Sequence, residues 1–324
     1  MSTGCSPRPR RRSTVLSLRR AETARGAGAP TPAPGRWRRR LAENLTAYGL
    51  LCAALLCFAL FSWWPIIRGV LLSFQQVDFV NEPTWVGFAN FERLFADPLF
   101  GIAWRNTLLF TGLALLLGFV VPFLTAVVLN EMRHARAYFR LLVYLPVMLP
   151  PVVTSLLWKW FYNPGPGLFN DGLRAVGAPP LNWLDSGDTA MISLVIVSTW
   201  ANMGSATLIY LAALQTIPGE LYEAAELDGA SMWKRLWHVT VPQTRFVLLV
   251  LMLMQVIATM QVFTEPYVMT GGGPEDSTLT VLLLLYRYAF VYNDFGTASA
   301  MSLLLFVVLG VFSACYVRLT KGRS

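Results

Sequence analysis

The chain has 324 residues, of which 55% are hydrophobic and 14% are charged, with a mean hydropathy of +0.51 and a formal net charge of +8. A soluble domain carries about a quarter charged residues, so this composition excludes an ordinary soluble globular protein.

The N-terminal segment is polar and strongly basic. Residues 7–40 are rich in Arg, Pro, Ala and Gly and show no apolar periodicity, so residues 1–44 are predicted to form a disordered tail. The arginine runs at 10–12 and 38–40 admit an interpretation as a nucleic-acid-binding arm. A topogenic tail near anionic lipid fits better, and no nucleic-acid partner is predicted.

Long apolar runs follow the tail, and a helix that spans a membrane needs roughly 20 mostly apolar residues. The candidate spans are Tyr48–Ile67, Thr107–Leu129, Leu141–Tyr162, Met191–Leu214, Phe246–Phe263 and Thr297–Val317. A seventh run, Leu279–Leu285, is too short to cross. Lipid cannot satisfy open backbone groups, and the runs lack the alternation of a membrane barrel. The sequence therefore predicts an all-α membrane protein with six transmembrane helices over residues 45–320.

Positive charge indicates the orientation of these spans. The tail and the segments 130–140, 215–245 and 318–324 carry 20 of the 26 Lys and Arg residues, and the other three loops carry 5. Because cytoplasmic loops are enriched in Lys and Arg, the first set is predicted to be cytoplasmic. Both termini are then cytoplasmic, which agrees with an even number of spans.

Cysteine and histidine give no sign of a metal site. Cys52, Cys57 and Cys315 lie within predicted spans, and Cys5 lies in the tail. The spacing of these residues matches neither a metal site nor a disulfide framework. No metal and no catalytic residue is predicted.

Residues 215–245, which we name the acidic loop, form a polar island between two apolar runs. Pro218 fits the first turn of a helix, and Gly229 is the natural place for that helix to end. Ser231 is then expected to cap a second short helix, and Pro242 to begin the fifth span. The pattern predicts a helix–turn–helix on the cytoplasmic face, although an amphipathic helix resting on lipid is the alternative.

The core of the acidic loop is Glu223, Ala224, Ala225, Asp228, Gly229 and Ala230, with Pro242 beyond it. This arrangement resembles the "EAA" loop in permease subunits of ATP-binding-cassette (ABC) importers. In that family, the loop docks on a separate ATPase, so the resemblance implies that these seven residues couple the chain to ATP hydrolysis.

The resemblance extends over roughly residues 45–320. Residues 85–91, 149–151, 167–170 and 271–274 resemble segments of permeases for carbohydrates and glycerol 3-phosphate. The chain is therefore identified as a member of that family, with a sugar, polyol or glycerol phosphate as the implied solute. The implied location is the bacterial inner membrane. The implied partners are an ATPase dimer that binds the ATP, a second permease subunit and an extracytoplasmic solute-binding protein, and no cofactor is expected on this chain.

Polar residues within spans are costly and often functional. Asn202 in the fourth predicted span, and Gln255, Thr259 and Gln261 in the fifth, are therefore candidates for the solute pathway. Hydrogen bonds between helices are the alternative explanation for such residues. A membrane-embedded lipid-modifying enzyme is the alternative function, but no histidine, cysteine or paired metal ligand accompanies the acids clustered at residues 220–228.

Overall fold

The computed structural model describes residues 35–77, 82–132 and 134–321, which divide into two compact units, Met1–Pro65 and Ile66–Ser324. The predicted tail therefore lies outside the described residues as far as position 34. Residues 35–44, expected to be disordered, are helical. This segment is rich in Arg, Leu, Ala and Glu, which are good helix formers.

The first unit is helical throughout its described part. It contains α1 (Gly35–Phe58), a π-helical turn (Ala59–Trp63) and the first residues of α2 (Trp64–Leu72).

The second unit is also built almost entirely of helices. Its α-helices are α3 (Ala89–Ala96), α4 (Pro98–Glu131), α5 (Arg136–Tyr144), α6 (Pro151–Phe161), α7 (Leu168–Ala175), α8 (Gly187–Leu214), α9 (Gly219–Leu227), α10 (Met232–Arg235), α11 (Val241–Thr259), α12 (Val281–Tyr286) and α13 (Phe295–Lys321). A 3₁₀ turn covers Leu145–Met148, and π-helical turns cover Leu236–Thr240, Pro266–Thr270 and Arg287–Val291. Two short antiparallel strands, β1 (Gln75–Gln76) and β2 (Thr84–Trp85), pair with each other.

Five helical segments in the described part of the chain are long and apolar enough to cross a membrane. They are Ala47–Leu72, Pro98–Glu131, Gly187–Leu214, Met232–Thr259 and Phe295–Thr320. The bent pair Arg136–Met148 and Pro151–Phe161 brings the number of spans to six if the two helices together form a single span. The all-α prediction is confirmed, and the count of six stays a prediction.

The third predicted span differs most from the structure. Its two halves are bent by 100°, where the two prolines within Leu141–Tyr162 left an ordinary kink and a broken helix as equal alternatives. The break falls at Pro150 and Pro151. Proline has no backbone N–H and disfavours a helical conformation in the residue before it, so two consecutive prolines end one helix and start another.

The part of the core that carries the site forms where α4 packs along α8, and a further buried cluster joins α3, α12 and α13. Asp97 caps the start of α4 by accepting a hydrogen bond from the backbone of Leu99 at 2.8 Å. The two helices bury Phe110, Ala126, Leu194 and Leu211. Gly204 on α8 permits close packing against α5, because a Cβ atom there would lie 2.6 Å from the carbonyl oxygen of Val143.

Loops of the second unit gather in two groups. Arg93 pairs with Asp294, Tyr288 donates a hydrogen bond to Asp97, and Asn106 bonds to the backbone of residues 276 and 279. Residues 130–132 and Arg136 instead lie beside Tyr222, Glu226 and Arg235, around a shared pocket. The first group belongs to the loops that are poor in Lys and Arg, and the second to the basic segments.

Candidate functional site

The acidic loop begins with α9, which presents the predicted coupling residues to the surface. Glu223, Ala224 and Asp228 are exposed, and Ala225 and Ala230 are half-buried. Pro218 is the N-cap residue of α9, one position before the expected helical start. Leu227, also on α9, is 90% exposed, which leaves an apolar side chain beside the carboxylates.

Gly229 ends α9 as expected. Its φ of +69° is in the left-handed region, which glycine adopts without the steric cost of a Cβ atom. The backbone N–H of Ala230 donates to the carbonyl of Ala225 at 2.9 Å, and that of Gly229 to Glu226 at 3.0 Å. This pair of bonds is a Schellman motif, which satisfies the last carbonyls of a helix.

The second half of the acidic loop differs from the prediction. A separate short helix followed by a span starting at Pro242 was expected, but α10, the π-helical turn and α11 follow one another without a gap from Met232 to Thr259. Pro242 therefore lies inside a continuous helix, just after the π turn. A π turn shifts the backbone hydrogen-bond register, which accommodates a residue that has no N–H. Ser231 is the N-cap residue, but its side chain makes no cap hydrogen bond.

Two side-chain contacts tie α9 to this long helix. Arg235 forms an ion pair with Glu226, and the hydroxyl groups of Tyr222 and Thr240 lie 3.0 Å apart. These contacts cross Gly229, so they define the angle between α9 and the start of the long helix.

A polar pocket of about 490 Å³ lies at this end of the unit. Its lining residues are Asn130, Glu131, Met132, Arg136, Tyr222, Glu226 and Arg235. Arg136 donates a hydrogen bond from Nε to the carbonyl of Leu129 at 3.0 Å and also bonds to the carbonyl of Asn130, so it caps the last turn of α4.

A second cavity, of about 480 Å³, lies between α4, α8 and α11, and we name it the central cavity. All four candidate pathway residues, Asn202, Gln255, Thr259 and Gln261, line it. Gln261 lies just past the end of α11, where the fifth span was expected to continue to Phe263. The hydroxyl of Thr259 bonds back to the carbonyls of Gln255 and Val256, a type of local bond that competes with the helical pattern.

The hydrogen bonds of these four residues differ. Gln255 donates from Nε2 to the carbonyl oxygen of Ala114 on α4 at 2.6 Å, which is the interhelical bond of the alternative explanation. Asn202 and Gln261 bond only within their own segments, to Ser198 and Ile257. Both of these side chains are exposed.

Sequence reasoning did not place Glu265 in the site. This residue lines the central cavity and also a smaller cavity of about 80 Å³ beside the break between α5 and α6. Burial raises the pKa of its carboxyl, and hydrogen bonds from its own backbone and from Ser198 oppose the shift. The sequence did contain a signal for this residue, because Glu265 is an acid just after the fifth predicted span, which carries several polar residues.

Comparisons with known proteins decide the family. Residues 114–323 match the family described as "Binding-protein-dependent transport system inner membrane component". The chain belongs to this family. The permease is therefore a multi-pass inner-membrane protein of a transport system, and the alternative of a lipid-modifying enzyme is wrong.

Two curated relatives match nearly their whole length. The permease is 36% identical to "Probable ABC transporter permease protein YurN" of Bacillus subtilis, covering 86% of this chain and 97% of that protein. It is 33% identical to "Trehalose/maltose transport system permease protein MalF" of Thermococcus litoralis, covering 87% and 95%.

One solved structure is similar in fold and sequence. It comes from a bacterial ABC transporter involved in the import of the acidic polysaccharide alginate. The TM-score is 0.79 at 25% identity, covering 88% of this chain and 98% of that one.

Proposed function

We propose that this permease forms half of the membrane pathway of an ABC importer for a sugar. The continuous helix from Met232 to Thr259 carries the proposal, because it starts in the acidic loop and ends on the wall of the central cavity. A movement of α9 would pass to the long helix through the Glu226–Arg235 and Tyr222–Thr240 contacts, and the long helix would carry it to the cavity. The names of relatives that import trehalose, maltose and alginate support a saccharide as the solute.

Glu223, Ala224, Ala225, Asp228, Gly229, Ala230 and Pro242 form the coupling element in this proposal. An ATPase subunit binds against α9, where the exposed carboxylate of Glu223 faces a basic residue of that partner and Ala224 leaves room for close approach. ATP is bound by the ATPase dimer. The acidic loop and both chain termini are cytoplasmic, in agreement with the positive charge of those segments.

Asn202, Gln255, Thr259 and Gln261 form the solute pathway in the same proposal. Their amides and hydroxyls are neutral groups that match the hydroxyls of a sugar. A second permease subunit supplies the other half of the pathway, and an extracytoplasmic solute-binding protein delivers the sugar. A neighbouring structure of the alginate transporter contains an oligosaccharide-bound periplasmic protein, which supports such a partner.

The test is sugar-stimulated ATP hydrolysis by the complete complex in proteoliposomes, together with its solute-binding protein. We expect at least one of trehalose, maltose and an arabino-oligosaccharide to stimulate hydrolysis. Glu223→Ala should assemble with the ATPase but lose the stimulation.

Glu220→Ala is the matched control, because it removes the same charge from the first turn of the same helix and should keep most of the stimulation. Normal stimulation in Glu223→Ala would contradict the coupling role, and no response to any sugar would contradict the solute class.

A further inference from the structure

The central cavity is neutral except for one acid. Its polar lining consists of Ser, Thr, Asn and Gln side chains, the hydroxyl of Tyr210 and the carboxyl of Glu265. Among the described residues that line it, Glu265 is the only Asp, Glu, Lys, Arg or His.

The charged residues on the surrounding helices do not place a counter-charge for Glu265 in the central cavity. Those helices carry Arg105 and Glu131 on α4, Arg136 and Arg140 on α5, Lys159 on α6, Asp188 on α8 and Arg245 on α11, and none of them lines the central cavity. Lys159, on the helix that packs against Pro266–Thr270, lies 3.5 Å from the carbonyl of Val268 and lines a different cavity. Ser198 is a neutral partner of Glu265.

We infer that Glu265 is a specificity-determining residue that makes the central cavity accept neutral sugars and reject sugars that carry a carboxylate, sulfonate or phosphate. This inference rests on the proposed function, because it assumes that the cavity is the solute pathway.

The rejection has a physical reason in both protonation states of Glu265. An ionised carboxyl repels an anionic solute, and a protonated carboxyl donates a hydrogen bond but supplies no positive charge. An anion that enters the cavity loses its hydration and finds no counter-charge among the described lining residues of this subunit, which is costly. A neutral sugar exchanges water for the amides and hydroxyls of the wall, and Glu265 can bond to its hydroxyls.

A thiol-reaction measurement tests the charge of the cavity without knowledge of the solute. Ala258 lines the cavity and is exposed, so a cysteine placed there reports on the reagents that enter. The experiment uses Ala258→Cys in the assembled complex, with the native cysteines replaced. The rates of reaction with cationic trimethylammonioethyl and anionic sulfonatoethyl methanethiosulfonate are compared as a ratio, which cancels the reactivity of the thiol itself.

We expect the cationic-to-anionic ratio to fall by at least about threefold when Glu265→Gln removes the acid that lines the same cavity as the reporter. Glu265→Asp should keep the ratio, and it also provides an assembled variant if Glu265→Gln is unstable. Glu275→Gln is the matched control, because it removes an exposed acid from a loop outside the cavity.

The ratio should also depend on pH. Because burial raises the pKa of Glu265, its carboxyl becomes charged at a higher pH than an exposed glutamate. The ratio should therefore rise with pH in the parent and stay flat in Glu265→Gln.

An unchanged ratio in Glu265→Gln, or an equal fall in Glu265→Asp, would overturn the inference. If the ratio falls as expected but no sugar stimulates ATP hydrolysis, the charge assignment holds and the proposed function fails. If a sugar stimulates hydrolysis while the ratio stays constant, the proposed function holds and the role of Glu265 fails.

Discussion

Gln255 is a residue of the site that both holds two helices together and lines the central cavity. Its amide bonds to the carbonyl of Ala114, and a Cβ atom at Gly118 would lie 2.6 Å from its Nε2. Gln255 therefore holds α11 against α4 while it lines the central cavity. The sequence indicated a polar residue in a span, but the choice between pathway and interhelical bond needed the position of α4.

We predict that Gln255→Leu lowers the stability of the assembled complex, because the bond to Ala114 is lost. Interhelical hydrogen bonds in membranes contribute about 0.6 kcal/mol on average, so the shift in the thermal unfolding midpoint should be small but measurable. Gln261→Leu is the control, since its amide bonds only to Ile257 in its own segment. Equal midpoints for the parent and Gln255→Leu would show that the bond to Ala114 contributes nothing.

Gly229 gives a second prediction at this scale. A Cβ atom at Gly229 would meet nothing within 4 Å, so a substitution there costs only backbone strain, roughly 1 to 2 kcal/mol. Gly229→Ala should therefore reduce sugar-stimulated ATP hydrolysis. Gly229→Asn should retain more of it, because asparagine tolerates the left-handed conformation better than alanine. The opposite order would mean that side-chain size at position 229 matters more than backbone conformation.

The elements of the acidic loop show where sequence reasoning succeeds and where it stops. Local chemistry predicted the end of α9, because Gly229 is the residue that a left-handed helix end requires. It misjudged Pro242, because a π turn that absorbs a proline has no clear sequence signature. The angle between α9 and the long helix could not be predicted from the sequence. It is set by contacts such as the Glu226–Arg235 ion pair, and the periodicity of apolar residues gives no information about such contacts.

We predict that the Glu226–Arg235 ion pair positions α9. Glu226 is 62% exposed but Arg235 only 17%, so an arginine at position 226 would place a second positive charge beside a guanidinium that is largely shielded from water. Glu226→Arg should therefore lower both the unfolding midpoint and sugar-stimulated ATP hydrolysis. The exchanged pair, Glu226→Arg with Arg235→Glu, should recover much of the stimulation. A double variant as impaired as the single one would assign the defect to another contact of either residue.

At the scale of the whole molecule, the bent pair α5–α6 decides the topology. Residues 130–132 precede this pair and α8, whereas Tyr222, Glu226 and Arg235 follow them, yet both sets line one pocket. Two segments can meet on one side of a membrane only if an even number of crossings separates them. Because α8 is one crossing, the shared pocket supports a second one, made by the bent pair. The positive-inside count agrees with an even number of spans, but the two prolines did not decide between a kink and a broken helix, because proline is common in membrane spans in general.

Cysteine labelling of the complex in intact cells tests this topology, with the native cysteines replaced. His134→Cys and Ser231→Cys are exposed positions on either side of the bent pair and α8, and Glu275→Cys is an exposed position beyond α11. We predict that a membrane-impermeant thiol reagent added from outside labels only Glu275→Cys, and that permeabilised cells also show labelling of the other two. If His134→Cys and Ser231→Cys are labelled from opposite sides, the bent pair does not cross the membrane and the permease has five spans. If both are labelled from outside and Glu275→Cys only after permeabilisation, six spans remain but the orientation derived from charge is inverted.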